Sequence, residues 1–459
     1  MHDIQDWLSK PEGKTLEFKR DLSSPDKVIR TIVAFANGAG GTVLIGVTDR
    51  TRQVVGVPDP TMAEEQLANL ISDRIEPRLV PELRVVRWRR THLLLVEVYP
   101  SSSRPHWVKA EGNPGGVYVR VGSTNRKADT AQVEELRRVV RGRTFDEEPL
   151  PELGVEALDF KVASECFAPY RKLAVGSLKS LQLTTTHQRR EVPTVGGVLL
   201  FGVERLKLFP EAFIRAGCFA GTDKSRILDS TEIVDHPVLA IEQAVAFVLR
   251  HTSRPVEMEG LRGRAVHELP LAALREAVIN AVVHADYAQR GSPLRVAIFA
   301  DRVEVENPGG LPPGLTLEDI QQGVSKLRNR VLGRVFHELE LIEQWGSGIQ
   351  RMVSACTESG LREPAFAEMG TGFRVTLWRG QRAEPKLDEA NQRIVAFVGQ
   401  NPGVTTGQIA AHLGITARST RDRLSRLLSL GLLVAVGTSE RDPRRGLFLA
   451  QGGTKAQNA

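Results

Sequence analysis

The stretch "REAVINAVVHADY", residues 275–287, constrains the fold more than any other in the chain. On a 3.6-residue period it reads as one helix. Glu276, Asn280 and His284 fall one turn apart on a single face, and nearly everything around them is Ala, Val or Ile. A helix that is apolar on its remaining faces must be enclosed by other elements. Enclosure strands an acid, an amide and an imidazole unless they find polar partners or border a cavity. The chain therefore needs other elements packed round this helix, with either polar partners or a cavity along its striped face.

At 459 residues the sequence exceeds what one core organises and predicts about three domains. A formal net charge of +6 permits a nucleic-acid partner without requiring one. Cys166, Cys218 and Cys356 are far apart and lack metal-ligand spacing, so reduced thiols are expected. The sequence shows no signal-peptide pattern and no apolar run long enough to span a bilayer. A cytoplasmic protein without a membrane partner is the expectation.

Residues 1–140 alternate strand-like runs ("KTLEFK", "GTVLIGVTD", "ELRVVRW", "HLLLVEVYP", "GGVYVRVGSTNRKA") with the helices "DKVIRTIVAFANGAGG" and "AEEQLANLISDRI". "RGRTFDEEPLPELG" reads as a linker. Residues 155–380 form the second segment, its nucleotide-binding portion expected over about 255–380. There "VPTVGGVLLFGV" reads as a glycine-punctuated buried strand, followed by "AFIRAGCFAG", the helix "HPVLAIEQAVAFVLRHT" and the striped helix. The hairpin "PLRVAIFADRVEVENPGGLPPG", further helices and the strand "GFRVTLW" complete it. A second linker, "RGQRAEPKLDEA", leads to residues 388–450.

That last segment has the order helix, tight turn, helix, hairpin. Gly414 stops the first helix and Thr416 caps the next. Leu424, Leu427 and Leu428 share one face of the second helix, opposite Ser419, Asp422 and Arg426, with Arg418 and Arg423 flanking them. An exposed helix bearing arginines suits the major groove, where Arg pairs with guanine, and Arg441, Arg444 and Arg445 are placed to reach phosphates from the hairpin. The segment resembles the winged helix-turn-helix domains of bacterial regulators, which implies a DNA partner and dimers on paired half-sites.

In the first segment, "LEFKRDL", "AFANGAGGTVLIGVTD" and "YVRVGSTNRKAD" together resemble the Alba-like Schlafen core domain, which implies nucleic-acid binding. Lys19, Arg20, Arg50, Arg52, Arg120, Arg126 and Lys127 are the candidate phosphate contacts. Animal relatives cut RNA with clustered carboxylates of this domain. That likeness keeps RNA as a possible partner and nominates Glu12, Glu17 and Asp49 as metal ligands of a nuclease. Against this, Asp49 at a strand end can simply start a turn. The glycines of "GAGGTVLIG" follow a helix and precede a strand, the wrong order for a dinucleotide fingerprint.

Downstream of the striped helix lie two glycine-rich turns, "ENPGGLPPG" and "QWGSGIQRM". Such turns free backbone N–H groups for phosphates, and the second opens a helix whose N-terminus favours anions. The set resembles the GHKL-type ATP-binding fold. The likeness implies ATP, with Glu276 as the acid, Asn280 as the magnesium ligand and Gly346 to Gly348 as a phosphate loop. Asn307, Gly309 and Gly310 belong to the first glycine motif. Asn307 or Pro308 stands where that family usually has the Asp that receives the adenine amino group, and an amide oxygen still accepts such a bond. His284 is expected to be hydrogen-bonded core, and Asp286 to cap a turn.

The combination resembles bacterial RecG-like transcriptional regulators that join an Alba-like Schlafen core to this domain, although no GxxxxGK[ST] helicase loop is present. The expected architecture is α+β multidomain: a Schlafen Alba-like core, a GHKL-like α/β sandwich and a winged helix-turn-helix. The expected function is ATP-linked, DNA-binding transcriptional regulation by a homo-oligomer. A metal-dependent nuclease and a non-catalytic assembly protein with a degenerate ATP fold are the alternatives.

Overall fold

The computed structural model describes residues 4–49, 51–174, 176–252, 257–259, 262–264, 268–343, 346–380, 389–429, 433–436 and 446–449. The chain divides into two compact units, Met1–Gly380 and Gln381–Ala459.

The first unit begins with a four-stranded sheet in the order Leu16–Lys19, Gly41–Ile45, Thr91–Val98, Glu82–Trp88. Its first pair is parallel, joined by the helix Pro25–Asn37, and the others are antiparallel. Strand alternation sorts the side chains. Val43, Ile45, Leu94 and Val96 meet Ile29, Ile32 and Val33, while Phe18, Leu44, Leu93 and Leu95 form a second cluster with Ile4. Gly40 turns the chain between helix and strand at φ +80°, where a Cβ would stand 2.6 Å from the Val98 carbonyl oxygen.

A six-stranded sheet lies at the centre of the rest of this unit, in the order Ile227–Ile233, Ile214–Phe219, Leu294–Ile298, Arg302–Pro308, Gly372–Trp378, Ala365–Met369. Only the pair Ile214–Phe219 and Leu294–Ile298 is parallel. The striped helix spans Leu271–His284 and packs against the helices Pro237–Thr252 and Gly348–Glu358. Ala273, Leu274, Ala277, Val278, Ala281 and Val282 are buried in the cluster shared with Val296, Ile298, Val305 and Val375. The enclosure its composition demanded is thus supplied by a sheet and two helices.

Two local expectations fail. "VGGVLLF" is a helix, Val195–Phe201, not a strand. All seven residues are buried, which erases the periodicity that separates the two cases. Its glycines serve close packing: a Cβ on Gly197 would stand 2.2 Å from the Leu183 carbonyl oxygen, and one on Gly196 2.5 Å from Val331. The expected linker "RGRTFDEEPLPELG" is built into the unit. Within it Asp146 is fully buried and accepts the N–H groups of Arg330, Val331 and Leu332 at 3.0, 2.7 and 3.0 Å, at the start of the helix Arg330–Glu338. Burial pushes its carboxyl up to about 6 despite these donors and the Thr144 hydroxyl.

In the second unit the helices Glu389–Gln400, Thr406–Leu413 and Ala417–Ser429 precede the strand pair Leu433–Val436 and Gly446–Leu449. Ile394, Val398, Ile409, Leu424, Leu427, Leu433 and Leu447 make its core. Gly414 adopts the left-handed cap at φ 65°, and the Thr416 hydroxyl accepts the Ser419 N–H at 3.2 Å. Both caps follow the residue types read from the sequence.

Candidate nucleotide cavity and nucleic-acid surfaces

The polar face of the striped helix borders a cavity of about 130 Å³ that is open to solvent. Glu276, Asn280 and His284 run along one wall. Asn307 and Gly310 from the first glycine turn, and Gly346 and Gly348 from the second, complete it with Phe366, Phe373 and Val375. Gly309 lies elsewhere, turned at φ +90° beside Asp286 and Arg328, where a Cβ would be 2.8 Å from the Asp286 Cβ. Its backbone shapes the turn, and the cavity wall, left at Asn307, resumes at Gly310.

The cavity has two chemically distinct ends. Eight helical residues separate Glu276 from His284, about 12 Å along the axis. At the His284 end the Asp286 N–H donates to the Pro308 carbonyl at 2.8 Å, which brings the first glycine turn there. Asn307 is buried, and its Nδ2 donates to the Pro308 carbonyl at 2.9 Å, leaving its own side-chain oxygen as an acceptor. Burial, with the Arg328 charge adding to it, pushes His284 down to about 4. The expectation that this ring belongs to the core misses its position on the cavity wall. Asp286 does cap the following turn, accepting the Ala288 N–H at 3.1 Å.

At the other end the Asn280 Nδ2 donates to Glu276 Oε1 at 3.0 Å, and Arg351 Nη2 to Glu276 Oε2 at 2.9 Å. Arg351 also reaches Glu343 at 2.5 Å. Gly348 opens the helix Gly348–Glu358, and a Cβ there would stand 1.9 Å from Glu276 Oε1. No other residue fits without displacing that carboxylate. This end gathers a carboxylate, an amide whose carbonyl oxygen is left to ligate a cation, an arginine and a helix N-terminus. The donor set fits a nucleotide phosphate tail with Mg²⁺, to which Asn280 would contribute one oxygen ligand. The sequence reading missed Arg351. Its signal was its place three residues after Gly348, within the first turn that follows the glycines.

In the first sheet the carboxylates Glu12, Glu17 and Asp49 are brought together, but Glu17 is already committed. It is buried and ion-paired with Arg120 and Lys19. Glu12 accepts the Phe18 N–H at 2.7 Å, and burial, reinforced by Asp49 and Glu17, pushes it up to about 7. Asp49 is exposed in a turn, its carbonyl accepting the Arg52 N–H at 3.2 Å. Among the described residues no group of three or more His, Cys, Asp or Glu is placed to hold a metal ion. The nuclease alternative therefore has one carboxylate neutralised by cations and one held near its protonated form.

The expected basic surface is also partly redirected inward. The Arg120 side chain is only 2% exposed; it donates to the Gly13 carbonyl at 3.0 Å and to Asn125 at 2.9 Å, so it cannot meet phosphate. Lys19 is tied to Glu17, Lys127 pairs with Glu111 at 2.9 Å, and Arg52 donates to the Ser9 carbonyl at 3.0 Å. Arg20 and Arg126 are exposed, as are Lys127 and Arg52 despite those partners, whereas Arg50 lies outside the described residues. On the helix Ala417–Ser429, Arg418, Asp422 and Arg426 are exposed and Ser419 half-buried. Arg423 is half-buried and donates to Asn391 at 3.2 Å. Arg441, Arg444 and Arg445 lie outside the described residues. No helix among the described residues is long and apolar enough to cross a membrane.

Comparison with known proteins places these parts in families. Residues 12–129 match the family "Schlafen, AlbA_2", residues 291–377 match "Putative ATP-dependent DNA helicase recG C-terminal", and residues 387–434 match "Winged helix-turn-helix DNA-binding". No curated protein matches the chain. Among solved structures, the DIP2311 protein from Corynebacterium diphtheriae is 20% identical, with 97% of this chain and 96% of that one covered and a TM-score of 0.46. The N-terminal domain of a putative ATP-dependent DNA helicase RecG-related protein from Nitrosomonas europaea is 30% identical. There the match covers 28% of this chain and 95% of that one, with a TM-score of 0.23. The chain joins a Schlafen AlbA_2 domain, a RecG-like C-terminal ATPase domain and a winged helix-turn-helix domain in one polypeptide.

Proposed function

We propose that this protein is a cytoplasmic transcriptional regulator that binds DNA through its winged helix and its Schlafen domain, and binds ATP with Mg²⁺ in the central cavity. The observation that carries the reading is the convergence of Glu276, Asn280, Asn307, Gly310, Gly346 and Gly348, from three separate stretches of sequence, on one cavity. Asn280 supplies the magnesium ligand, the glycine turn before Gly348 receives the phosphates, and Asn307 accepts the adenine amino group. Arg418, Ser419 and Arg426 read the major groove, while Arg20 and Arg126 contact phosphates. A homodimer would present two such helices to half-sites about one helical turn apart.

Calorimetry with ATP and ADP in the presence of Mg²⁺, on the wild type and on Asn280→Ala, tests the nucleotide site. Binding that is lost in the variant supports the reading; no binding to the wild type refutes it. Titrating duplex DNA at several salt concentrations tests the second half. A salt-dependent affinity is expected, and its absence would favour a non-catalytic assembly role. RNA in the same titration identifies the polymer that the protein prefers.

A further inference from the structure

The Glu276 carboxylate occupies an unusual place. It sits against the first residue of the helix Gly348–Glu358, so closely that Gly348 alone leaves room for it, and Arg351 donates to its outer oxygen at 2.9 Å. Arg351 lines the same cavity and is partly exposed, 43% by side chain, so its guanidinium can turn, while the Glu276 carboxylate, 12% exposed, keeps the Asn280 amide as its donor. A carboxylate held between a helix N-terminus and an arginine is the arrangement expected of the terminal oxygens of a phosphate. The other end of the cavity lies by His284, about 12 Å from Glu276 along the striped helix, and the first glycine turn with Asn307 is held there, so the far end of a nucleotide's phosphate tail falls beside Arg351.

We infer that Arg351 is the residue that distinguishes a nucleoside triphosphate from a diphosphate, and that Glu276 holds its place as a stand-in while the cavity is empty. The inference rests on the nucleotide reading of the cavity. When a triphosphate enters, Arg351 exchanges the Glu276 carboxylate for γ-phosphate oxygens. A diphosphate does not reach it, and the Arg351–Glu276 pair persists. Two opposite effects follow. Removing the guanidinium weakens triphosphate binding alone. Removing the Glu276 charge takes away one of the two carboxylates that compete for Arg351, Glu343 being the other, and a like charge facing the γ-phosphate, and strengthens triphosphate binding alone.

The test is calorimetry with Mg-ATP and Mg-ADP on the wild type, Arg351→Ala, Arg351→Lys, Glu276→Gln and Lys326→Ala, the last because Lys326 is another cation of the lining. The expected result is a wild type that prefers ATP. Arg351→Ala should lower the ATP-over-ADP ratio about tenfold or more, at unchanged ADP affinity, which also reports that the cavity is intact. Arg351→Lys should restore part of the ratio, and Glu276→Gln should raise it. Equal loss of both nucleotides in Arg351→Ala, no preference in the wild type, or collapse of the ratio in Lys326→Ala instead would overturn the assignment while leaving the nucleotide reading standing. A wild type that binds neither nucleotide would end both.

Discussion

The His284 ring lies on the cavity wall with a proton affinity far below normal, and that has a cost in acid. Burial, helped by the Arg328 charge, brings it from 6.5 down to about 4. Between those values the unfolded chain binds a proton that the folded chain refuses. Stability from this group is therefore complete above pH 6.5 and drains away as the pH falls toward 4. At about 1.4 kcal/mol per pH unit the full loss is about 3 kcal/mol, an upper bound because the ring borders a solvent-open cavity. Roughly 2 kcal/mol of it is gone by pH 5. The perturbation is His284→Gln, which keeps a polar side chain and removes the titration. Urea unfolding of both proteins between pH 7.5 and pH 5 should show the wild type losing about 2 kcal/mol relative to the variant. Histidine labelled at the ring carbon gives the direct reading by NMR. A His284 ring titrating near 6.5, or a constant gap between the two proteins, would refute the reasoning.

Other consequences are equally specific. Gly348→Ala crowds the helix N-terminus that receives the phosphates, with its Cβ 1.9 Å from the Glu276 oxygen, so ATP and ADP binding by calorimetry should drop together, unlike the gain for ATP alone expected of Glu276→Gln, with the fold retained by circular dichroism. Asp146→Ala leaves three N–H groups at the start of the helix Arg330–Glu338, two of them buried, without their acceptor, and should cost about 3 kcal/mol in urea unfolding. Arg120→Ala should destabilise the first sheet by breaking its buried pair with Glu17; a specific loss of DNA affinity without destabilisation would count against its buried role. Arg126→Ala should instead lower DNA affinity and reduce the magnitude of the salt slope by about one, with thermal stability unchanged.

The sequence exposed the cavity because of a conflict it could not hide. Glu276 and Asn280 have no place in an enclosed apolar helix unless polar partners or a recess receive them, and spacing alone put them one turn apart. Gly414 and Thr416 were legible for a similar reason, since caps depend on local residue type. Charge misled where burial decided. Arg120 looks like Arg126 in the sequence, yet one is sealed against Glu17 and the other faces water, and that difference depends on a contact across 103 residues. Asp146 sat in a polar stretch that composition assigns to a linker. Its true role appears only when the helix start at Arg330 arrives from far along the chain. "VGGVLLF" failed because total burial leaves no periodic signal.

The same long-range contacts bear on how the parts of the first unit communicate. The first glycine turn is gripped from two sides. Arg328 donates to the Gly310 carbonyl at 2.8 Å while pairing with Glu135 of the helix Thr130–Val140 at 2.5 Å. Glu368 accepts the Leu311 N–H at 2.9 Å while pairing with Lys14 at 2.7 Å. Gly310 and Leu311 both line the nucleotide cavity, whereas Glu135 and Lys14 come from the part of the chain that carries or adjoins the Schlafen domain. A ligand that shifts this turn must strain or relax both ion pairs, and so shifts the surface that holds their other ends. Linkage makes the exchange reciprocal: whatever factor ATP imposes on nucleic-acid affinity through this turn, nucleic acid imposes on ATP.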